Sequence, residues 1–206
     1  MIGFYNYSVI VTYLGVALSV LAMGLAHTGD FKYAILCLAV AGACDTFDGK
    51  IARAMKNRTR EMEIFGIQID SLCDMVCFGV TPVVISYHMG LNQPWGIAVE
   101  ILFVLCGVIR LAYFNVIEEL KHMDPDMDQS KSYRGLPITT ITIIYPLVYA
   151  FEPFTPNNVF IIILAIMHLV VAFLYVLDFK MKKPGNKLIA CAMVIIAAVL
   201  VYILFR

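Results

Sequence analysis

The sequence predicts an all-α membrane protein: a polytopic bundle of transmembrane helices forming one integral membrane domain over residues 1–206. Three observations predict it. The chain is 61% hydrophobic, against about 45–50% in a soluble domain, and its mean hydropathy is +0.84. Its apolar residues fall in long runs separated by short polar stretches. Thirteen of its 15 Lys and Arg residues fall in three connections that an odd number of spans places on one side of the membrane.

A helix crosses the hydrocarbon core with about 20 apolar residues. The runs predict spans at 8–27, 33–53, 65–88, 95–116, 136–151, 157–177 and 187–205, the fifth being short. The opening "MIGFYNYS" lacks a positively charged n-region, so the first run is expected to be a retained span. The second and third spans carry the acidic motif and, joined by a short polar connection, are expected to be antiparallel neighbours. Basic residues cluster around 50–60, 110–135 and 178–187. By the positive-inside rule these connections and the N-terminus face the cytoplasm, and the C-terminus lies outside. The formal net charge is zero, which gives no electrostatic pull towards nucleic acid. The six cysteines form no CxxC pair and read as small reduced core residues.

Bare carboxylates are costly in lipid, yet four lie in or at the ends of two apolar runs, in "CDTFDGKIAR" (44–53) and "FGIQIDSLCD" (65–74). Asp45 and Asp48 are three apart and share a helix face. Gly49 and Ala52 extend that face with small side chains, so a bulky ligand can approach the backbone. Gly66, Asp70 and Asp74 recur every four residues on the next helix. Two such faces brought together make a cluster of oxygen donors, which suits Mg²⁺, Mn²⁺ or Ca²⁺ rather than zinc. Four carboxylates can hold two ions about 3.5–4 Å apart, as in two-metal phosphoryl-transfer sites. Arg53 lies one turn further on and can pair with phosphate through two parallel hydrogen bonds. Solvated helix ends paired with Lys50, Arg58 and Arg60 would accommodate one aspartate, but they do not account for four on two faces. A divalent-cation pathway accounts for the carboxylates but not for Gly49, Ala52, Gly66 or Arg53.

These residues resemble the signature of the CDP-alcohol phosphatidyltransferases, D-x2-D-G-x2-A-R followed by G-x3-D-x3-D. Asp45, Asp48, Gly49, Ala52, Arg53, Gly66, Asp70 and Asp74 fill every fixed position. The gap from the arginine to the glycine, usually eight residues, is twelve here (54–65), an insertion of about one helical turn. The resemblance implies a six-helix core, here with a seventh helix, around a polar cavity open to the cytoplasm, usually in a homodimer. It implies transfer of a phosphatidyl group from CDP-diacylglycerol to an alcohol, with release of CMP. Asp45, Asp48 and Asp70 would bind metal, Mg²⁺ or Mn²⁺. Asp74 would be both ligand and general base. Gly49, Ala52, Arg53 and Gly66 would meet the nucleotide lipid, and Thr59, six after the arginine, would also contact it.

Downstream, "RLAYFNV" (110–116) and "YRGLPIT" (133–139) resemble segments of the serine-using branch, the phosphatidylserine synthases, as does "GIQIDSLCDMVCFGVTP". The acceptor implied is L-serine, whose carboxylate needs a cation; Arg110 and Arg134 are the candidates, with Lys121 on the same side. Two alternatives stay open: the same transfer to glycerol 3-phosphate or inositol phosphate, and a divalent-cation transporter. "DPDMDQ" (124–129) lacks the glycine and glutamate of a calcium loop and reads as a solvated acidic loop. Glu100 is expected to snorkel or to pack at a helix contact, and His168 to be a hydrogen-bonded core residue. "KMKKPGNK" (180–187) reads as a cytoplasmic anchor on anionic membrane lipid.

Overall fold

The computed structural model describes residues 7–54, 59–123, 132–182 and 185–206. It is all-α but for one short strand pair. The helices are α1 (Tyr7–Thr28), α2 (Phe31–Ala54), α3 (Arg60–Asp74), α4 (Thr81–His88), α5 (Pro94–Met123), α6 (Ile141–Tyr149), α7 (Asn157–Val176) and α8 (Asn186–Phe205). α3 and α4 form one rod, joined by a π-helical turn at Met75–Val80. Pro82 explains the turn. It cannot donate to the carbonyl four residues back, and its ring crowds that carbonyl. Within the turn the Val76 carbonyl accepts from both the Thr81 amide and the Thr81 hydroxyl, the latter at 2.9 Å.

Seven helical rods therefore stand where seven spans were expected. Among the described residues, four helices can cross a membrane by length and composition: Val9–Thr28, Arg60–His88, Pro94–Leu120 and Asn157–Val176. α2 is long enough but is interrupted by Lys32, Asp45 and Asp48. The fifth rod is short and broken, with α6 containing Pro146 and flanked by 3₁₀ turns at Ile138–Thr140 and Glu152–Phe154. α5, at 30 residues and about 1.5 Å per residue, is longer than the hydrocarbon core is thick, about 30 Å.

Gly29, at φ 87°, ends α1 in a tight reversal. The Asp30 amide donates to the Leu25 carbonyl at 2.9 Å and the Gly29 amide to Ala26 at 3.2 Å, while the Asp30 carbonyl accepts from Tyr33 and Ala34 to start α2. This six-to-one closure needs the left-handed conformation that glycine adopts without strain. α1 and α2 therefore lie antiparallel, and they share the most extensive helix contact in the molecule. Their facing residues are small and buried: Ser19, Ala22, Ala26, Ala34 and Ala41. Lipid-embedded helices associate by this kind of close backbone approach. α2 was expected to neighbour the third span; it lies along α1 and meets the α3–α4 rod mainly at the π turn.

α5 and α7 form the second long contact. Large apolar residues on the other faces of α1, α5 and α7, among them Ile10, Leu105, Ile109, Ile166 and Phe173, stay exposed. Exposed apolar surface on this scale marks a lipid or protein contact, and backbone hydrogen bonding satisfied within each helix fits it to a bilayer. Within the bundle, Glu100 (4% exposed) puts Oε1 3.3 Å from Nδ1 of fully buried His168. Glu100 is therefore packed at a helix contact. His168 is a core residue whose ring packs against Phe103 with centroids 4.6 Å apart; among the described residues no aligned hydrogen bond reaches either ring nitrogen, contrary to the hydrogen-bonded expectation. All six cysteines are free; Cys73, Cys77 and Cys106 are buried, Cys37 and Cys44 half-buried. Cys191 is exposed on α8, contrary to the core reading.

A candidate carboxylate centre at the ends of α2 and α3

α2 delivers Asp45 and Asp48 on its last turns, and α3 delivers Asp70 and Asp74. One ligand oxygen from each of Asp45, Asp70 and Asp74 lies within 4.8 Å of the others. Three like charges at this spacing repel in a medium that screens poorly. Oxygen donors converging in this way fit a hard divalent cation. The fourth carboxylate stands apart from this grouping. Asp48 is 4% exposed, and its Oδ2 accepts a 2.7 Å hydrogen bond from the Thr12 hydroxyl of α1. A small pocket between them is lined by Thr12, Gly15, Asp45, Asp48, Asp74 and Cys77, among others.

α3 starts where it does because Thr59 caps it. Its backbone is extended (φ −76°, ψ 161°) and its side-chain oxygen accepts from the Met62 amide at 3.3 Å. Glu61 and Glu63 in the first turn complement the helix dipole. The Thr59 hydroxyl is also engaged with the Glu61 carboxylate. Beside Asp70, Ser71 donates to Asn115 Oδ1 at 2.7 Å, and Asn115 Nδ2 donates to Gln68 Oε1 at 3.4 Å. This chain ties α3 to α5 and commits the Ser71 hydroxyl. Gly66 and Gly49 are half-buried near the two motif faces. Ala52 and Arg53 lie in the last turn of α2; their side chains fall outside the described residues.

A second corner forms where α5 meets the chain entering α6. β1 (Ser132–Arg134) pairs antiparallel with β2 (Lys180–Lys182), with Arg134 opposite Lys180. The basic connection expected over 178–187 contains this strand at Lys180–Lys182. Gly135 follows at φ 71°, its amide donating to the Phe179 carbonyl at 2.9 Å. A Cβ there would lie 3.2 Å from the Tyr175 and Leu177 carbonyls and 3.6 Å from Arg110 Nη1. Glycine is thus required on two counts. Arg110, 7% exposed, is brought beside the residue that follows Arg134. Arg134's side chain, Lys121's side chain and the acidic loop 124–129 lie outside the described residues.

Sequence reasoning missed Thr12, Asn115 and Gln68 as structural parts of the site. A lone threonine in an apolar helix carries no pattern, and the two amides sit inside motifs quoted for other residues.

Residues 5–171 match the sequence profile of the CDP-alcohol phosphatidyltransferases. Among curated proteins, the chain is 37% identical to the CDP-diacylglycerol–serine O-phosphatidyltransferase of Saccharomyces cerevisiae over 110 residues, which are 52% of this chain and 38% of that protein. It is 36% identical over 126 residues to the enzyme of the same name from Helicobacter pylori (59% of this chain, 48% of that one). To the archaetidylserine synthase of Methanothermobacter thermautotrophicus it is 32% identical over 124 residues (60% and 48%). The chain spans about half, or less, of the length of these relatives. The matched profile covers α1 to most of α7 and includes all four aspartates, and it identifies the chain as a member of the CDP-alcohol phosphatidyltransferase family.

Proposed function

We propose that the protein transfers a phosphatidyl group from CDP-diacylglycerol to L-serine, giving phosphatidylserine and CMP. The observation that carries the reading is the convergence of Asp45, Asp70 and Asp74 from two helices. The names of the relatives support serine as acceptor.

Asp45, Asp48, Asp70 and Asp74 would hold two divalent ions, Mg²⁺ or Mn²⁺. Bound there, such ions supply Lewis-acid polarisation and charge neutralisation to a diphosphate. Gly49, Ala52 and Gly66 leave room for the nucleotide to approach the helix backbones, and Arg53 pairs with its diphosphate. Thr59 would contact the same group by exchanging its hydrogen bond with Glu61 for one to the diphosphate. Arg110 and Arg134 hold the serine carboxylate, which leaves the serine hydroxyl directed at phosphorus. Asp74 accepts the hydroxyl proton as the oxygen attacks the phosphorus attached to diacylglycerol. The new P–O bond forms as the bond to CMP breaks, and CMP leaves with the electron pair. Ser71 is engaged with Asn115 rather than with a base, which disfavours a covalent phosphatidyl-enzyme.

In this reading the protein is a single integral membrane domain in the cell membrane, with its site facing the cytoplasm, acting as a homodimer. The test is CMP release by purified protein in lipid nanodiscs holding CDP-diacylglycerol and Mn²⁺. L-serine, glycerol 3-phosphate, inositol phosphate or no acceptor is added. Release that requires serine is expected. Faster release with a phosphorylated acceptor overturns the choice of serine. No release with any acceptor, together with Mn²⁺ flux across vesicles, favours a transporter.

A further inference from the structure

α1 carries no signature residue, yet it reaches the carboxylate centre. Its face towards α2 is Val9, Thr12, Gly15, Ser19, Ala22 and Ala26, spaced three or four apart. All of these but Thr12 are buried, and Thr12 is half-buried. Thr12 is the member of this face whose hydroxyl meets a motif carboxylate, donating to Asp48 Oδ2 at 2.7 Å across 36 residues of chain. Asp48 is the motif aspartate that stands outside the close grouping of Asp45, Asp70 and Asp74, although both neighbours of the gap, Asp45 and Asp74, line the same pocket as Thr12 and Asp48.

We infer that Thr12 is a positioning residue of the cation site, contributed by the first helix, and that it sets how Asp48 is presented to a divalent ion. The inference rests on the reading that Asp48 is a ligand of that site. A carboxylate on a single side-chain axis can rotate. A hydroxyl donor on one of its oxygens fixes the orientation and leaves the anion's charge to be shared with a cation. Partners of this kind, one step removed from the metal, typically change affinity by about 10–100-fold when lost. The tight reversal at Gly29–Asp30 explains how α1 can do this, because it locks α1 and α2 in register from their far ends.

Thr12→Val keeps the branched shape and removes the donor. Mn²⁺ binding to the purified protein, measured by the electron paramagnetic resonance of free Mn²⁺, should weaken by about 10–100-fold in Thr12→Val and by no more than about threefold in Thr12→Ser. Adding Thr12→Val to Asp48→Asn should produce no further loss, because the two residues act as one unit. If the valine variant does not fold, Thr12→Cys, of similar size and with a weak donor, should show the same loss. Unchanged Mn²⁺ affinity in the donor-less variant overturns the inference. So does an equal loss in Thr12→Ser, which would mean that helix packing rather than the hydrogen bond matters. Additive losses with Asp48→Asn also overturn it. Wild-type protein that binds no Mn²⁺ overturns both the inference and the cation-site reading beneath it. Mn²⁺ lost on Asp70→Asn but unaffected at Thr12 leaves the cation site standing and removes only Thr12.

Discussion

Arg110 lies almost wholly buried on a helix of a membrane bundle, where a charge survives only with partners. The path of the chain brings it to within reach of Gly135, directly after Arg134. If Arg110 holds the acceptor's carboxylate, Arg110→Ala should raise the KM for serine by about 10–100-fold, the loss of a charge-assisted hydrogen bond of about 1.5–3 kcal/mol. The KM for CDP-diacylglycerol should move far less. Steady-state kinetics with each substrate varied in turn checks this, and equal effects on both would detach Arg110 from the acceptor. At this scale the aspartates were legible in sequence because their cost in lipid is high and their three- and four-residue spacings are strict. Thr12 was not, since a hydroxyl is cheap enough in an apolar helix to need no special reason. Nor was the pairing of Ser71 with Asn115, 44 residues apart, because nothing local reports a contact between two helices.

Among the elements, the position of each helix was legible and its neighbours were less so. The predicted spans 8–27, 33–53, 157–177 and 187–205 each agree with a helix to within about two residues, the usual uncertainty of a helix end. The third span begins five residues earlier than expected, at Arg60, because Thr59 caps a polar first turn that hydropathy does not count as membrane. The fourth runs on to Met123 for the same reason. The strand pair β1–β2 had no sequence signal: two three-residue pieces, separated by residues 135–179, pair only because α5 and α7 hold their ends together. Close approach between α2 and α6 is equally invisible in sequence. A Cβ on Gly42 would collide with the Thr142 side chain, including its Cβ at 2.8 Å. Gly42→Ala should therefore destabilise the bundle by about 1–3 kcal/mol, as overpacking does. Gly24→Ala, with nothing within 4 Å of the new methyl, should be neutral or stabilising by up to about 1 kcal/mol through helix propensity. Thermal unfolding in detergent checks the pair; similar midpoints for the two variants would remove Gly42 from the list of packing constraints.

For the whole molecule, the bundle brings three carboxylates together from α2 and the α3–α4 rod, and an arginine corner forms where α5 meets the strand pair. Direct attack needs the acceptor between these two places and the nucleotide lipid beside them, with both substrates present together. It inverts configuration at phosphorus. CDP-diacylglycerol made chiral at that phosphorus should give inverted phosphatidylserine, and CMP should not exchange into the nucleotide lipid without serine. Retention, or such exchange, would require a covalent intermediate. All-α architecture and membrane residence were legible from composition and run length, since the apolar runs are long enough to span a bilayer as helices. What was hidden at this scale was the partnership of α1 with α2, fixed by small residues that pack well in lipid and leave no mark in hydropathy.

The central claim is that the carboxylates of α2 and α3 form one divalent-cation centre on which transfer depends, and the most direct measurement of it combines Mn²⁺ binding with CMP release in the same samples. Wild type should bind Mn²⁺ and lose activity in EDTA, recovering it when Mn²⁺ is restored. Asp45→Asn, Asp48→Asn, Asp70→Asn and Asp74→Asn each remove a ligand charge with little change in volume. Each should keep its helical circular dichroism while losing more than about 100-fold in activity, beyond what loss of an outer partner costs, with Mn²⁺ affinity falling in parallel. Full activity in EDTA, or two of these folded variants that turn over at the wild-type rate, would contradict it.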